Sequence, residues 1–382
     1  MKPVVFVFPT FLAVGGVERN TVEVIAKLKD KYDFVVVTFE RLSRAHGSLH
    51  HQFFAHCRAV YDLAEIGSRD EIATYLERLR VEYTPEIVWI CNGCPWLAAN
   101  TATVRSIFCD AAIVDQQVYD TELGWVSLYR SRDPGMLSFD RHIAINSKIR
   151  DVFIEFSGIS SERIDLIYPV ISDERRTIAM GQSRDALISK FGLDPTKRYF
   201  ATIGRLAPQK APLDFVELVR LLVKDGNPDL QFLMVGSGEL ESEVAQRLHA
   251  FELSERVTRI GYVENVFELT KALDGIVFTS LYEGLPIALL EALSMGTPGI
   301  CTDVGDVELV FKKYGNGVIF DRIGDPHRYK EKFDLFLRDY AQIKGVAIKN
   351  MDAVATDFSI EAARQKYLKC FDAAKARGSR AN

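Results

Sequence analysis

Short, uniformly apolar runs recur along the first half of the chain: VVFVF at 4–8, DFVVVTF at 33–39, EIVWI at 86–90, AAIV at 111–114 and HIAI at 142–145. Amphipathic segments separate several of them. A strand that is apolar on both faces is buried on both, so the alternation predicts βαβ units and a mainly parallel sheet. The second half repeats the plan with RYFATIG (198–204), LQFLMVG (230–236), VTRIGYV (257–263), GIVFTS (275–280) and PGICT (298–302), spaced by helical patterns at about 211–225, 239–251, 265–273 and 285–295. The expected fold class is α/β: two doubly wound parallel-sheet, Rossmann-like domains facing a central cleft. Ligands of open sheets bind outside the carboxyl ends of the strands.

Between the halves, SDERRTIAMGQSRD at 172–185 is charged and lacks clear periodicity. The pattern therefore predicts a first domain at 1–171, an interdomain connection at 172–196, a second domain at 197–356, and a tail at 357–382. That tail carries a helix ending near Lys375, which packs back on the first domain, and a frayed end AKARGSRAN. The opening MKPVVFVFPTFLAVGG imitates a signal peptide. Its β-branched and aromatic core, stopped by Pro9 and followed by a glycine turn, reads instead as a buried first strand. No run of 18 apolar residues is present, so a spanning helix is unsupported.

Composition narrows the partners. At roughly 150 residues per domain, 382 residues suit two domains, and 48% hydrophobic content supplies two cores. A net charge of −5 and a pI near 5.9 argue against general nucleic-acid binding. Residues 1–170 hold 18 Lys plus Arg against 22 Asp plus Glu, and the remainder 29 against 30, so neither half is a polybasic platform. The six cysteines follow no repeating spacing, which fits a reducing compartment. The one C-x-x-C pair, Cys91 and Cys94, lacks two further zinc ligands nearby.

Four segments at strand ends carry candidate chemistry. SLYEGLPIALLEALSMGTP, 280–298, passes from a strand through Gly284 and Pro286 into a helix apolar nearly all round, which predicts burial. Glu283 stands in the loop and Glu291 in the helix. A buried carboxylate needs donors, which adjacent ribose hydroxyls or a neighbouring Arg or Lys would supply. IGRLAPQKAP, 203–212, places Arg205 and Lys210 before a helix amino end, a combination suited to a diphosphate or simply to solvated surface. It is not a Walker loop, because Gly-Lys-Ser/Thr is missing. GGVERN, 15–20, lets backbone approach a ligand closely, with a helix expected from near Val17. MVGSGELESE, 234–243, is a glycine turn that fails as a dinucleotide fingerprint.

In this order the residues resemble the retaining glycosyltransferases of the GT-B fold, family four (glycosyl transferases group 1). The likeness is diffuse over about 350 residues and sharpest in the two glutamates of EGLPIALLEALSMGTP, then in Gly204-Arg205-Leu206 with Lys210, and in Val235-Gly236-x-Gly238. The resemblance implies an acceptor-binding first domain and a nucleotide-sugar-binding second domain. It also implies transfer of a sugar from a UDP- or GDP-linked donor to a saccharide or lipid-linked saccharide, in surface polysaccharide or glycoconjugate synthesis. Glu291 would hold the ribose; Glu283 and the backbone of Gly284, Leu285, Pro286 and Ile287 would face the donor sugar. Arg205 and Lys210 would neutralise the diphosphate, helped by Gly204 and Gly236. Gly16 would approach the phosphate, and the main chain at Tyr262 and Val263 would read the base. Arg205, Lys210 and Glu283 are thus the expected catalytic residues, and no covalent nucleophile is nominated.

Asp-x-Asp is absent, so no essential divalent metal and no cofactor beyond the donor co-substrate is expected. Where many relatives carry a His facing the donor sugar, this chain reads IVDQQVYD, 113–120, with Asp115, Gln116 or Gln117 as replacements. Ala211 follows Lys210 where Gly is common. RLSRAHGSLHHQFFAHCR, 41–58, suits either a solvated loop or contact with an anionic lipid surface, and His50, His51, His56 and Cys57 are too irregularly spaced for a zinc site. His142 reads as a satisfied core histidine. A cytoplasmic location is expected, with peripheral attachment at the inner membrane face as an option. The rival readings are an epimerase or phosphorylase on the same scaffold and a noncatalytic carbohydrate- or nucleotide-binding protein.

Overall fold

The computed structural model describes residues 2–42, 47–65, 68–119 and 126–378. Among them no helix is long and apolar enough to cross a membrane. The chain divides into two compact units, the second of which, Ile171–Ser359, interrupts the first.

The first unit holds seven parallel strands: β1 (Val4–Phe8), β2 (Asp33–Thr38), β3 (Ala59–Asp62), β4 (Ile87–Ile90), β5 (Ala112–Gln117), β6 (Arg141–Ala144) and β7 (Ile164–Leu166). Their order is β3-β2-β1-β4-β5-β6-β7. All five residues of β1 are buried, paired with β2 on one side and β4 on the other, as a strand apolar on both faces requires. The helix Ile360–Gly378 belongs to this unit. Tyr367 and Phe371 on it pack their rings 5.1 and 6.0 Å from that of Trp89. Burying each such aromatic contributes about 2–3 kcal/mol. The helix reaches Gly378, further than the sequence pattern suggests, and residues 379–382 lie outside the described residues.

The second unit holds β8 (Arg198–Ile203), β9 (Leu230–Val235), β10 (Val257–Ile260), β11 (Gly275–Phe278), β12 (Gly299–Thr302) and β13 (Gly317–Phe320), parallel in the order β10-β9-β8-β11-β12-β13. Phe200, Phe232, Phe333 and Phe336 fill its core on one face. The strand order turns back at β8, which lies between β9 and β11. The loops leaving β8 and β11 are therefore neighbours, and such a switch point is where open sheets bind ligands.

One sequence expectation changes here. Residues 172–196 are not a plain connection: Asp173–Met180 and Arg184–Lys190 are helices of the second unit. Lys271 ties them in by donating to the carbonyls of Ala179, Met180 and Gln182 at 3.1, 3.0 and 2.6 Å. Their charged residues hid the period, because only one narrow side of each is buried.

Candidate functional site

The loop after β8 is shaped by close backbone approach. Gly236 has φ +124°, and a Cβ there would lie 2.1 Å from the Gly204 carbonyl oxygen. A Cβ on Gly238 would lie 2.5 Å from the Leu206 carbonyl oxygen. Only glycine lets the two loops lie this close. Leu206 donates to Ser237 O at 3.0 Å and accepts from Leu240 N–H at 2.9 Å, which fixes Gly204–Lys210 above the strand ends. The chain then turns through Ala211 at φ +44°, a left-handed conformation that explains why glycine suits this position, before the helix Pro212–Lys224 begins.

Two candidate cations leave this loop with different surroundings. Arg205 is exposed and pairs with no carboxylate among the described residues. Lys210 is partly buried and forms an ion pair with Glu283 from the loop after β11. Glu283 is 7% exposed. Its Oε1 also accepts from the Ser280 hydroxyl at 3.0 Å, and its Oε2 from the Gln209 amide at 3.3 Å. A buried carboxylate is tolerated when paired and hydrogen-bonded in this way. The positive charge left uncompensated by this pair is that of Arg205. Sequence reasoning named both partners but not the pairing, since nothing local links positions 73 residues apart.

Gly284, Leu285 and Pro286 are buried, and the helix they lead into is Ile287–Ser294. The expectation that this helix is buried all round does not hold. Ile287, Ala288 and Glu291 are only partly buried, and their spacing sets them on one side of the helix. The Glu291 carboxylate thus sits on an accessible stripe close to the loop that carries Glu283. Tyr262 is 68% exposed in the loop after β10, with Val263 half-buried beside it.

Gly16 lies in the first unit, exposed in the first turn of the helix Gly16–Leu28. Glu18 is 3% exposed and folds back over the turn: a Cβ on Gly15 would lie 2.2 Å from its Oε2. This amino end already carries a carboxylate against its dipole, a feature the glycine motif alone did not reveal.

The three candidates for the missing histidine are all inward-facing. Asp115, Gln116 and Gln117 are 0, 1 and 4% exposed. Gln116 accepts from the Tyr367 hydroxyl at 2.9 Å and donates to Cys91 O at 3.4 Å. Asp115 Oδ2 accepts from the Tyr129 hydroxyl and from Gln117 Nε2 at 2.9 Å, while its Oδ1 has no partner among the described residues. With its proton committed to Asp115, the Tyr129 oxygen accepts from His142 Nδ1 at 2.8 Å. His142 Nε2 then accepts from Arg163 at 3.3 Å. Burial first, then the Arg163 and Arg141 charges, hold His142 well below its usual pKa, so it is the neutral core histidine expected. Asp120 of this segment lies outside the described residues.

Burial pushes the Asp115 carboxyl up to about 6, against the lowering effect of its donors. The folded state thus holds this proton more tightly than the unfolded chain, so stability is full below pH 4 and lost as pH rises through 6. Asp115→Asn should therefore raise the Tm of the first unit at pH 7.5, by an amount on the order of 1–3 kcal/mol of stability. The gain should vanish at pH 4, and calorimetric melts at both pH values check it. A gain independent of pH would sink the argument.

In the segment 41–58, residues 43–46 lie outside the described residues. His50–His56 form a helix on which Phe53 is buried and Phe54 is 60% exposed. Among the described residues no three His, Cys, Asp or Glu side chains are grouped so as to hold a metal ion. The six cysteines are free, and Cys94 Sγ caps the short helix Pro95–Ala99 by accepting from Leu97 N–H at 3.5 Å.

Two doubly wound parallel sheets of seven and six strands give the chain the GT-B fold. Residues 183–350 match the family described as glycosyl transferases group 1. Among curated proteins it is 28% identical over 183 residues to the UDP-Gal:alpha-D-GlcNAc-diphosphoundecaprenol alpha-1,3-galactosyltransferase of Escherichia coli, covering 47% of each chain. It is 30% identical over 162 residues to the lipopolysaccharide core biosynthesis mannosyltransferase LpsB of Rhizobium meliloti, covering 41% of this chain and 46% of that one. The chain thus spans about half the length of these curated relatives. Among solved structures, HepE of Anabaena in complex with UDP superposes with a TM-score of 0.78 at 16% identity, over 97% of this chain and 100% of that one. The lipopolysaccharide biosynthesis glycosyltransferase WaaG gives 0.70 at 16% identity, over 94% and 98%. At these identities the structures speak to fold.

Proposed function

We propose that the protein is a retaining glycosyltransferase that moves a sugar from a UDP- or GDP-linked donor to a saccharide or lipid-linked saccharide acceptor, without a divalent metal. The observation that carries the reading is the arrangement at the β8 and β11 strand ends: exposed Arg205, the Lys210–Glu283 pair, and Glu291 on the accessible stripe of the next helix. Its relatives support it, since one is a UDP-Gal:alpha-D-GlcNAc-diphosphoundecaprenol alpha-1,3-galactosyltransferase.

As the bond from sugar to phosphate breaks, negative charge grows on the diphosphate and positive charge on the sugar ring. Cations held in advance near the leaving group stabilise that state more than the ground state. Arg205 and Lys210 take that role, Glu291 binds the ribose hydroxyls, and Glu283 with the backbone of 284–287 faces the sugar. The main chain at Tyr262 and Val263 would read the base, and Gly16 would approach the phosphate. The leaving phosphate takes the acceptor proton on the face it departs from, so no protein nucleophile is required. The setting is cytoplasmic, at the inner membrane face when the acceptor is lipid-linked.

Calorimetric titration with UDP, GDP, ADP and dTDP, in magnesium and then in EDTA, tests this. One nucleotide should bind in the micromolar range, roughly −8 kcal/mol, equally well in EDTA. Binding that requires magnesium would overturn metal independence, and no binding by folded protein would overturn the assignment of the site.

A further inference from the structure

We propose that Gln209 is a positioning residue that holds the Glu283 carboxylate in place for transfer, an inference that rests on the glycosyltransferase reading. Gln209 stands between exposed Pro208 and half-buried Lys210 in the turn Pro208–Lys210, yet it is only 9% exposed. Its amide nitrogen serves two acceptors on the neighbouring loop, Tyr282 O at 3.1 Å and Glu283 Oε2 at 3.3 Å. Its backbone carbonyl accepts from Leu281 N–H at 2.8 Å. One residue of the β8 loop therefore ties down three successive residues of the β11 loop. Ser280 works from the other side, donating to Glu283 Oε1 at 3.0 Å while its own carbonyl accepts from the Thr302 hydroxyl at 2.6 Å.

The chemistry asks for a neutral donor at this position. A cation would compete with Lys210 for Glu283, and an apolar side chain would leave Oε2 buried without the one hydrogen bond it makes among the described residues. Gln209 acts through Glu283, and its removal lets that carboxylate rotate away from the geometry Lys210 and Ser280 define. A displacement of about 1 Å is enough to slow a reaction roughly a hundredfold.

The test compares wild type, Gln209→Leu, Ser280→Ala, Glu283→Gln and the Gln209→Leu/Glu283→Gln double variant, by nucleoside diphosphate affinity, Tm and donor turnover. Gln209→Leu should keep the nucleotide Kd within about twofold and lower kcat by roughly 10- to 100-fold with little change in KM. Ser280→Ala, a smaller deletion, should act in the same direction with Tm preserved. The double variant should be no slower than Glu283→Gln alone. Multiplying effects in the double variant, or full turnover by Gln209→Leu, would overturn the Gln209 assignment while leaving the transferase reading intact. A folded wild type that neither binds a nucleoside diphosphate nor turns over a sugar nucleotide would overturn both.

Discussion

Glu291→Ala should weaken nucleoside diphosphate binding by about 1.5–3 kcal/mol, roughly 10- to 150-fold in Kd, without loss of fold. The structure makes this a sharper expectation than the sequence did. Glu291 is partly buried on the same helical stripe as Ile287 and Ala288, so its carboxylate is not part of the packed core. Truncating it leaves the buried Leu289, Leu290, Ala292 and Leu293 of the helix in place, and Tm reports the loss of the carboxylate's contacts within the protein. Two hydroxyls donating to one carboxylate are charge-assisted bonds, which sets the magnitude. Glu291→Gln should lose less, since one acceptor oxygen remains. Calorimetry on folded protein, with Tm as the control, checks this. An alanine variant that binds nucleotide as wild type does would sink the ribose assignment and return Glu291 to a structural role.

Lys210→Met should lower turnover by roughly 10²–10³-fold if Lys210 serves the leaving group as proposed, and should also lower Tm because it strands Glu283. The Glu283 side chain is 8% exposed, and a buried carboxylate without its partner is costly. Ser280 and Gln209 still donate to it, and Lys210 is itself partly exposed, so the stability loss should be about 1–3 kcal/mol. The double variant Lys210→Met/Glu283→Gln separates the two effects: Tm should recover while turnover stays low. If the double variant were as unstable as the single, the buried-charge argument would fail. If Lys210→Met kept full turnover, Arg205 alone would have to serve the leaving group.

The sequence was most legible where the sheets are most buried. Every apolar run read as a strand is a strand, and β1, β4, β8 and β11, interior to their sheets, match to within a residue or two at each end. The strands it missed, β3, β7 and β13, are all edges of their sheets. Ala59–Asp62 and Ile164–Leu166 are half-buried throughout, so neither shows the continuous apolar run that marks a strand covered on both faces. At the remaining edge, β10 stops at Ile260, and Gly261 and Tyr262 are exposed.

The site follows a similar rule. Arg205, Lys210 and Glu283 were nominated by type and by their place in loops after strands, and Glu291 by its place in the helix that follows, because these positions are set locally. The Lys210–Glu283 pairing, and the part of Gln209 in it, depend on β8 and β11 being neighbours, which is a property of strand order. Gln209 carries no charge and belongs to no pattern, so no signal in the sequence marks it. The nearly apolar segment 285–293 misled for a different reason: Ile287 and Ala288 are apolar yet partly accessible, and hydrophobicity by itself does not tell a core face from a partly accessible one.

The return of helix Ile360–Gly378 to the first unit has a consequence for biosynthesis. The backbone N–H of Ile171 donates to Phe358 O at 3.0 Å, so the second unit is a closed loop of chain whose two ends meet, an inserted domain in the topological sense. A ribosome delivers β1 to β7 first, but the sheet they form lacks Tyr367, Cys370 and Phe371, each no more than 1% exposed in the finished protein, until just over two hundred residues later. The inserted unit has all its parts while still close to the exit tunnel. The amino-terminal half is thus made first and completed last, with the apolar surface under its final helix left open in the interval for chaperones to cover.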